Sequence, residues 1–351
     1  MAKTYADLWK ELVSFDSLYA AYLATRKGRR RKIGVMEFEA DLEGNLIQLQ
    51  NELVWRSYRP GGYHSFYVYE PKKRKITALT QYRDRIVQQA IFSLIEPIWE
   101  SRFISHSYAC RVGKGTHAAA NKVQLMLKDC LVTYGVVHAL KADISRFFAS
   151  INHEILKRCI KKRISDHHLL DLIDIIIDGY SEPDTPGVGI PIGNLTSQLF
   201  ANVYLDELDQ WAKCRRSEKW YARYMDDFVF IHPEKKHLQA LLLDAQEFLG
   251  RNLALDTNHK TQVFPVAVRH GRGLDFVGYH LWPHKRRLRR SSVARISRNV
   301  RRLSKLYGNG SVDNAAVRSK ILSYANHARS GDAIGAVEKI LSKTTFTRRS
   351  T

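Results

Sequence analysis

Two neighbouring carboxylates between two apolar runs constrain this chain more than any other stretch. Trp220-Tyr221-Ala222-Arg223 leads into Tyr224-Met225-Asp226-Asp227, and Phe228-Val229-Phe230-Ile231 follows. Aromatic-rich runs on either side of a short polar break predict a β-hairpin. Tight hairpins favour Asn-Gly or Asp-Gly at the tip, so Asp226-Asp227 is an unusual choice. Side chains alternate faces along a strand, and both carboxylates serve one face only if a turn reorients one of them. Adjacent like charges are costly unless a cation neutralises them, and an all-oxygen donor set suits Mg²⁺. A solvated turn also accommodates an Asp-Asp pair, so the rest of the chain must decide.

The chain has 351 residues, enough to bury a substantial core and to form two or three subdomains. Its formal charge of +21 favours a polyanionic partner, nucleic acid first and an anionic membrane surface second. No apolar run approaches the ~20 residues that span a bilayer, and the first residues lack a signal-like apolar segment. A cytoplasmic protein with no membrane partner is expected. Cys110, Cys130, Cys159 and Cys214 are scattered without a CxxC, which points to reduced thiols rather than zinc or a disulfide framework. His167-His168 has no third ligand nearby.

Helical spacing is predicted over 5–25 and 36–55, with the basic run 26–32, including Arg29, Arg30 and Arg31, between them as a candidate phosphate contact. Strands are expected at Phe66 to Tyr69 and Lys75 to Leu79 around a basic tip, Pro71-Lys72-Lys73-Arg74. A helix over 83–99 follows, and Ser107 to His117 mixes glycine, base and hydroxyl ahead of another helix. Residues 136–144 read as a buried strand ending on Asp143, where a carboxylate either caps the next turn or does chemistry. Helices are predicted over 152–163 and 166–179, from the end of the run 189–198 to about Trp211, and over 234–250. Leu253 to Leu255 and Gly273 to Tyr279 read as short strands. From Lys285 to Lys305 there are ten Lys or Arg and no acid, with Val293, Ile296, Val300 and Leu303 at helical spacing. That predicts a helix with a narrow apolar seam, followed by helices near 312–329 and 332–342, and it favours a nucleic-acid clamp.

Taken in order, five motifs resemble the palm of a reverse transcriptase: Lys-Ala-Asp143-Ile-Ser-Arg-Phe-Phe148, Gly-Ile-Pro-Ile-Gly193-Asn, Tyr-Met-Asp226-Asp227, the stretch up to Lys260, and Phe276-Val277-Gly278-Tyr279. The resemblance covers about residues 60–285. The runs Ile190 to Tyr204 and Ser107 to His117 are similar to reverse transcriptases of diversity-generating retroelements, which copy a template-repeat RNA with errors opposite adenines to rewrite a variable gene. It implies an α+β, right-hand polymerase fold with fingers, an antiparallel palm sheet and a helical thumb. The expected division is an N-terminal helical extension at 1–58, fingers at 59–135, a palm at 136–283 and a basic thumb at 284–351.

The resemblance further implies that Asp143 and Asp226, with the Ile144 carbonyl and Asp227 as lesser ligand, hold two Mg²⁺ ions, with Mn²⁺ as a substitute. Lys72, Arg74 and Arg111 would hold the dNTP triphosphate and Lys260 would protonate pyrophosphate. Phe148 would exclude a ribose 2′-hydroxyl, with Ile192 and Gly193 beside the incoming nucleotide. Phe276 to Tyr279 would grip the primer, and Arg286, Arg287, Arg289 and Arg290 would bind nucleic acid. Template RNA, a cDNA or primer strand and a basic, oligomeric accessory variability determinant protein are the implied partners, in a bacterial cell or a phage-infected host. Many reverse transcriptases carry Gln where Ile192 stands, and Ile has no hydrogen-bonding group with which to check a nascent pair. A retron or phage-defence reverse transcriptase is the alternative, and a non-catalytic RNA-binding protein a further one.

Overall fold

The computed structural model describes residues 3–69, 73–267 and 271–348. The first expected helix is two: α1 (Trp9–Leu12) and α2 (Phe15–Arg26). Ser14 between them is extended, and its side chain accepts from the Ser17 amide, so a capping hydroxyl starts the second helix. Leu12, Leu18 and Tyr22 are buried as the spacing required. Asp41 does the same between α3 (Ile33–Ala40) and α4 (Leu42–Val54), accepting from the Gly44 amide. β1 (Tyr63–Val68) and β2 (Arg74–Leu79) pair antiparallel, with Phe66 opposite Ile76.

Then come α5 (Tyr82–Glu100), α6 (Thr116–Tyr134), β3 (His138–Asp143), the single turn α7 (Phe147–Ser150), α8 (His153–Lys161) and α9 (His167–Asp178). The last two begin where Asn152 and Asp166 accept amides of the first turn. α10 (Leu195–Gln210) runs into a π-helical turn at Trp211–Arg215, which periodicity does not reveal. β4 (Trp220–Tyr224) and β5 (Asp227–His232) form the expected hairpin, followed by α11 (Lys235–Leu253) and β6 (Gln262–Pro265).

Three expectations need correction. Leu253 to Leu255 is no strand: Ala254 is left-handed at φ +50 and the Leu255 amide closes onto the Leu249 carbonyl, ending α11. Gly273 to Tyr279 is not one strand but β7 (Leu274–Phe276), a two-residue turn, and the start of β8 (Tyr279–Leu281). Arg286 and Arg287 do not open the basic helix; they lie in β9 (Arg286–Leu288), and the helix α12 spans Arg290–Gly308. β9 pairs with β8, a partner that a charge run gives no hint of. α13 (Asn314–Arg329) and α14 (Ile334–Leu341) complete the order.

The chain divides into two compact units. One comprises the chain up to Ser105, Asp143–Ser217 and Asp244–His259. Here α5 packs against α2 and α10, and α10 is buried on nearly every side, Leu199, Phe200, Val203, Tyr204, Leu205 and Leu208 included. The other comprises His106–Ala142, Glu218–Leu243 and the chain from Lys260 onward. Its core joins α6 (Val123, Met126, Leu127) to the strands (Ala222, Val229, Phe264, Phe276, Tyr279) and to α12 (Ile296, Val300). Among the described residues the sheets are β1-β2, β4-β5-β3-β6 and β7-β8-β9. No described helix is long and apolar enough to cross a membrane.

Candidate active site

The β4–β5 hairpin is tight: Tyr224 pairs with Asp227, leaving Met225 and Asp226 as the two turn residues. Met225 has φ +55, the sign that a two-residue hairpin needs at its first turn position. Asp226 therefore sits in the turn while Asp227 is the first residue of β5, which is how adjacent carboxylates come to differ in direction. Behind the tip, Tyr221 packs on Phe230 with ring centroids 4.7 Å apart, and Phe228 and Phe230 are fully buried.

Arg223 is the residue sequence reasoning missed. Its side chain is fully buried, donating to the Met225 carbonyl at 3.0 Å and to Ser107 Oγ at 3.1 Å. Its own backbone pairs with both His106 and Tyr108, at 3.0 Å each. A buried guanidinium thus fixes the turn that carries Asp226. The signal was an Arg within an otherwise apolar strand, since a buried cation must be paired.

β3 is the neighbour of β5 in the four-stranded sheet, and Asp143 is its last residue. Lys141, two residues earlier and so on the same face, reaches Asp227 Oδ2 at 3.5 Å. The strand end is held by its own unit: the Asp143 carbonyl accepts from the Asn258 amide at 2.6 Å, Ile144 bridges to Thr257, and the Ser145 amide donates to the Asp256 carbonyl. Asp143, Asp226 and Asp227 are all half-buried. Phe147 is buried and packs edge-on against the half-buried Phe148. The Phe148 carbonyl accepts from Ile190, tying this turn to the loop before α10.

That loop is docked on β2, where the Thr77 amide donates to the Ile192 carbonyl at 2.9 Å. Gly193 has φ +133, and a Cβ there would stand 3.1 Å from Ile76 Cγ2 and 3.2 Å from the Thr77 carbonyl oxygen. Only glycine suits such a position. Beside it a cavity of about 210 Å³ is lined by Lys27, Arg29 and Arg85 together with Asn194. Arg30 and Arg31 are exposed between α2 and α3.

Of the remaining candidates, Lys72 lies outside the described residues, and Arg74 is exposed at the first position of β2. Arg111 donates to the Ser107 carbonyl at 2.9 Å. Val277 and Gly278 have φ +44 and +92 and form the β7–β8 turn between the paired Phe276 and Tyr279. The Tyr279 hydroxyl lies 2.9 Å from His117 Nδ1 and 3.4 Å from His327 Nδ1. Burial, then the nearby His117 and Arg295, hold the His327 imidazole below its ordinary value. Arg286 turns inward onto Gln124 Oε1 at 2.7 Å, and Arg289 pairs with Asp275 at 2.5 Å. Arg287 and Arg290 are exposed. Lys260 shares with Lys141 the wall of a larger cavity. No three His, Cys, Asp or Glu side chains among the described residues form a metal-holding cluster by themselves.

Comparison with known proteins gives the arrangement its context. The profile of the family described as reverse transcriptase (RNA-dependent DNA polymerase) matches residues 68–281, more than half of the chain. Protein YkfC of Escherichia coli K12 is 30% identical over 283 residues, 69% of this chain and 72% of that protein. The group II intron-encoded protein LtrA of Lactococcus lactis subsp. cremoris is 25% identical over 277 residues, 75% of this chain and 45% of LtrA. A structure of telomerase from Candida tropicalis in complex with a fragment of telomeric RNA superposes with a TM-score of 0.50 at 13% identity, over 86% of this chain and 58% of that one. The chain thus spans less than half of LtrA and less than two thirds of the telomerase. The fold is α+β with antiparallel sheets, that of the right-hand polymerases.

Proposed function

The chain belongs to the reverse transcriptase family, and from that premise we propose that it copies an RNA template into DNA. The observation that carries the reading is one sheet within the matched region. β3 ends on Asp143, and the neighbouring β4–β5 hairpin bears Asp226 and Asp227 at its turn. Asp143, Asp226 and the Ile144 carbonyl, with Asp227 as a lesser donor, would hold two Mg²⁺ ions. Their donors are all oxygen, the type Mg²⁺ takes, and water and substrate phosphates would complete the shell. When bound, such ions acidify the primer 3′-hydroxyl and neutralise charge on the triphosphate and leaving pyrophosphate.

The chain's own residues supply positioning and charge. Arg74, Lys72 and Arg111 hold triphosphate oxygens, and Lys260 gives a proton to the departing pyrophosphate. Phe148 bars a ribose 2′-hydroxyl, and the Phe276–Tyr279 turn supports the primer end. Residues 1–58, 59–135, 136–283 and 284–351 act as extension, fingers, palm and thumb. Arg29, Arg30, Arg31, Arg287 and Arg290 contact nucleic-acid phosphates from exposed positions.

The narrower reading is a mutagenic reverse transcriptase of a diversity-generating retroelement, working in the cytoplasm with a basic accessory protein. Its support is the two runs 107–117 and 190–204 and the Ile at 192. A second reading, an intron-associated reverse transcriptase, is favoured by the similarity to LtrA over three quarters of the chain. The test is extension of a pre-annealed DNA primer on an RNA template containing all four bases, with Mg²⁺ and dNTPs, followed by sequencing. Errors concentrated opposite adenines support the narrower reading, and Ile192→Gln should then lower their frequency about tenfold. Uniformly accurate product favours the intron-type reading. No extension under either Mg²⁺ or Mn²⁺ overturns the polymerase assignment.

A further inference from the structure

The loop between α9 and α10 carries Ile192 and Gly193 and lies in the same compact unit as β2, α7 and α8. Main-chain bonds tie its second half down. The Gly189 amide donates to the Ile151 carbonyl at 2.8 Å and the Ile190 amide to the Phe148 carbonyl at 2.9 Å. On the other side the Thr77 amide of β2 donates to the Ile192 carbonyl. Gly189 itself has φ +99, and a Cβ there would stand 2.9 Å from Glu182 Cγ, so this bend brings no side chain of its own to hold it.

A side chain from α8 holds it instead. His153 is the first residue of α8 and only 2% exposed, three and seven residues before the fully buried Leu156 and Ile160. An apolar residue would pack on that face without cost, whereas a buried imidazole needs partners for its nitrogens. His153 has one for each. Its Nε2 lies 2.8 Å from the Gly189 carbonyl oxygen, which can only accept, so Nε2 donates. Its Nδ1 lies 3.2 Å from Oδ1 of Asp178, the last residue of α9, whose other oxygen takes Lys157 Nζ at 2.7 Å. The His153 amide also donates to the Gly187 carbonyl at 3.0 Å. One residue thus grips the carbonyls on both sides of Val188.

We propose that His153 is a positioning residue for the incoming nucleotide, acting through the Gly189 carbonyl on the segment that joins Phe148 to Gly193. Gly189 stands next to Ile190, whose amide holds Phe148, and four residues before Gly193. Releasing its carbonyl loosens both residues placed against the nucleotide, and a displacement of about 1 Å at such a point costs up to about a hundredfold in rate. His153 therefore sets dNTP affinity and the discrimination against ribonucleotides. That role rests on the polymerase reading; the clamp on the loop does not.

The test compares the full chain with His153→Asn and His153→Gln. The Asn amide reaches only the place of Nδ1 and loses the Gly189 bond; the longer Gln amide reaches the place of Nε2 and can keep it. Amide hydrogen exchange at Gly189 and Ile190 should be about tenfold faster in His153→Asn and near wild type in His153→Gln. In primer extension, His153→Asn should raise the KM for dATP about tenfold and weaken the preference for dATP over ATP, with kcat within about twofold, and His153→Gln should restore most of both. Wild-type exchange in His153→Asn overturns the clamp. A fall in kcat with KM and sugar preference unchanged, or His153→Gln no better than His153→Asn, overturns the positioning role. If the wild type extends no primer, that role falls with the polymerase reading, and the exchange rates still decide whether His153 holds the loop.

Discussion

At the scale of single residues, the unexpected anchor is Arg223. Asp226 owes its position to a turn whose first residue, Met225, is held at positive φ, and the Met225 carbonyl is gripped by the Arg223 guanidinium. Replacing it with Leu keeps the bulk but leaves the Met225 carbonyl and the Ser107 hydroxyl without their buried donor. Arg223→Leu should therefore cost about 3 kcal/mol of stability in a urea melt and lower primer extension at least tenfold where the protein is still folded. A variant as stable and active as wild type would remove Arg223 from the account. The places of the carboxylates, Asp143 at a strand end and Asp226 in a hairpin turn, were legible because apolar runs bracket them. Arg223 and Lys141 stood in the same motifs without assigned roles, since their meaning lies in what they touch across the sheet.

At the scale of elements, alternation and helical spacing carried most of the chain, and the failures have two causes. Ser14 and Asp41 each interrupt an apolar pattern by a single capping residue, which a period of 3.6 passes over. β9 is hidden in a basic run because its strand character comes from pairing with β8. Where local backbone does decide, the consequences are sharp. Gly193→Ala would place a methyl 3.1 Å from Ile76 at a φ of +133. It should destabilise the loop on β2 by about 1–3 kcal/mol and weaken dNTP use, read as a raised KM with a lowered Tm.

The Tyr279–His117–His327 contact joins β8, α6 and α13. His327 is held below its ordinary value near 6.5 by burial first, then by His117 and Arg295, so the unfolded chain binds its proton more readily. Its stabilising contribution is complete above that value and is lost as pH falls through the lower folded value. Between pH 7.5 and 5.5 the Tm of wild type should fall further than that of His327→Gln, by roughly 2 °C or more. Equal drops would show that the imidazole is not sensed by the fold.

At the scale of the whole molecule, a net charge of +21 set the expectation of a polyanionic partner before any motif was considered. The antiparallel sheets and the family match over residues 68–281 place the chain in a family whose fold and name agree with that expectation. The reading as an RNA-directed DNA polymerase stands or falls on whether the hairpin carboxylate serves the reaction or only the fold. The decisive measurement pairs primer extension on RNA with RNA binding, for wild type and Asp226→Asn side by side. Extension by wild type, its loss by at least a thousandfold in Asp226→Asn, and RNA affinity unchanged within about twofold are the expected results. Equal extension by both proteins, or loss of RNA binding together with activity, would contradict a catalytic role for the hairpin carboxylate.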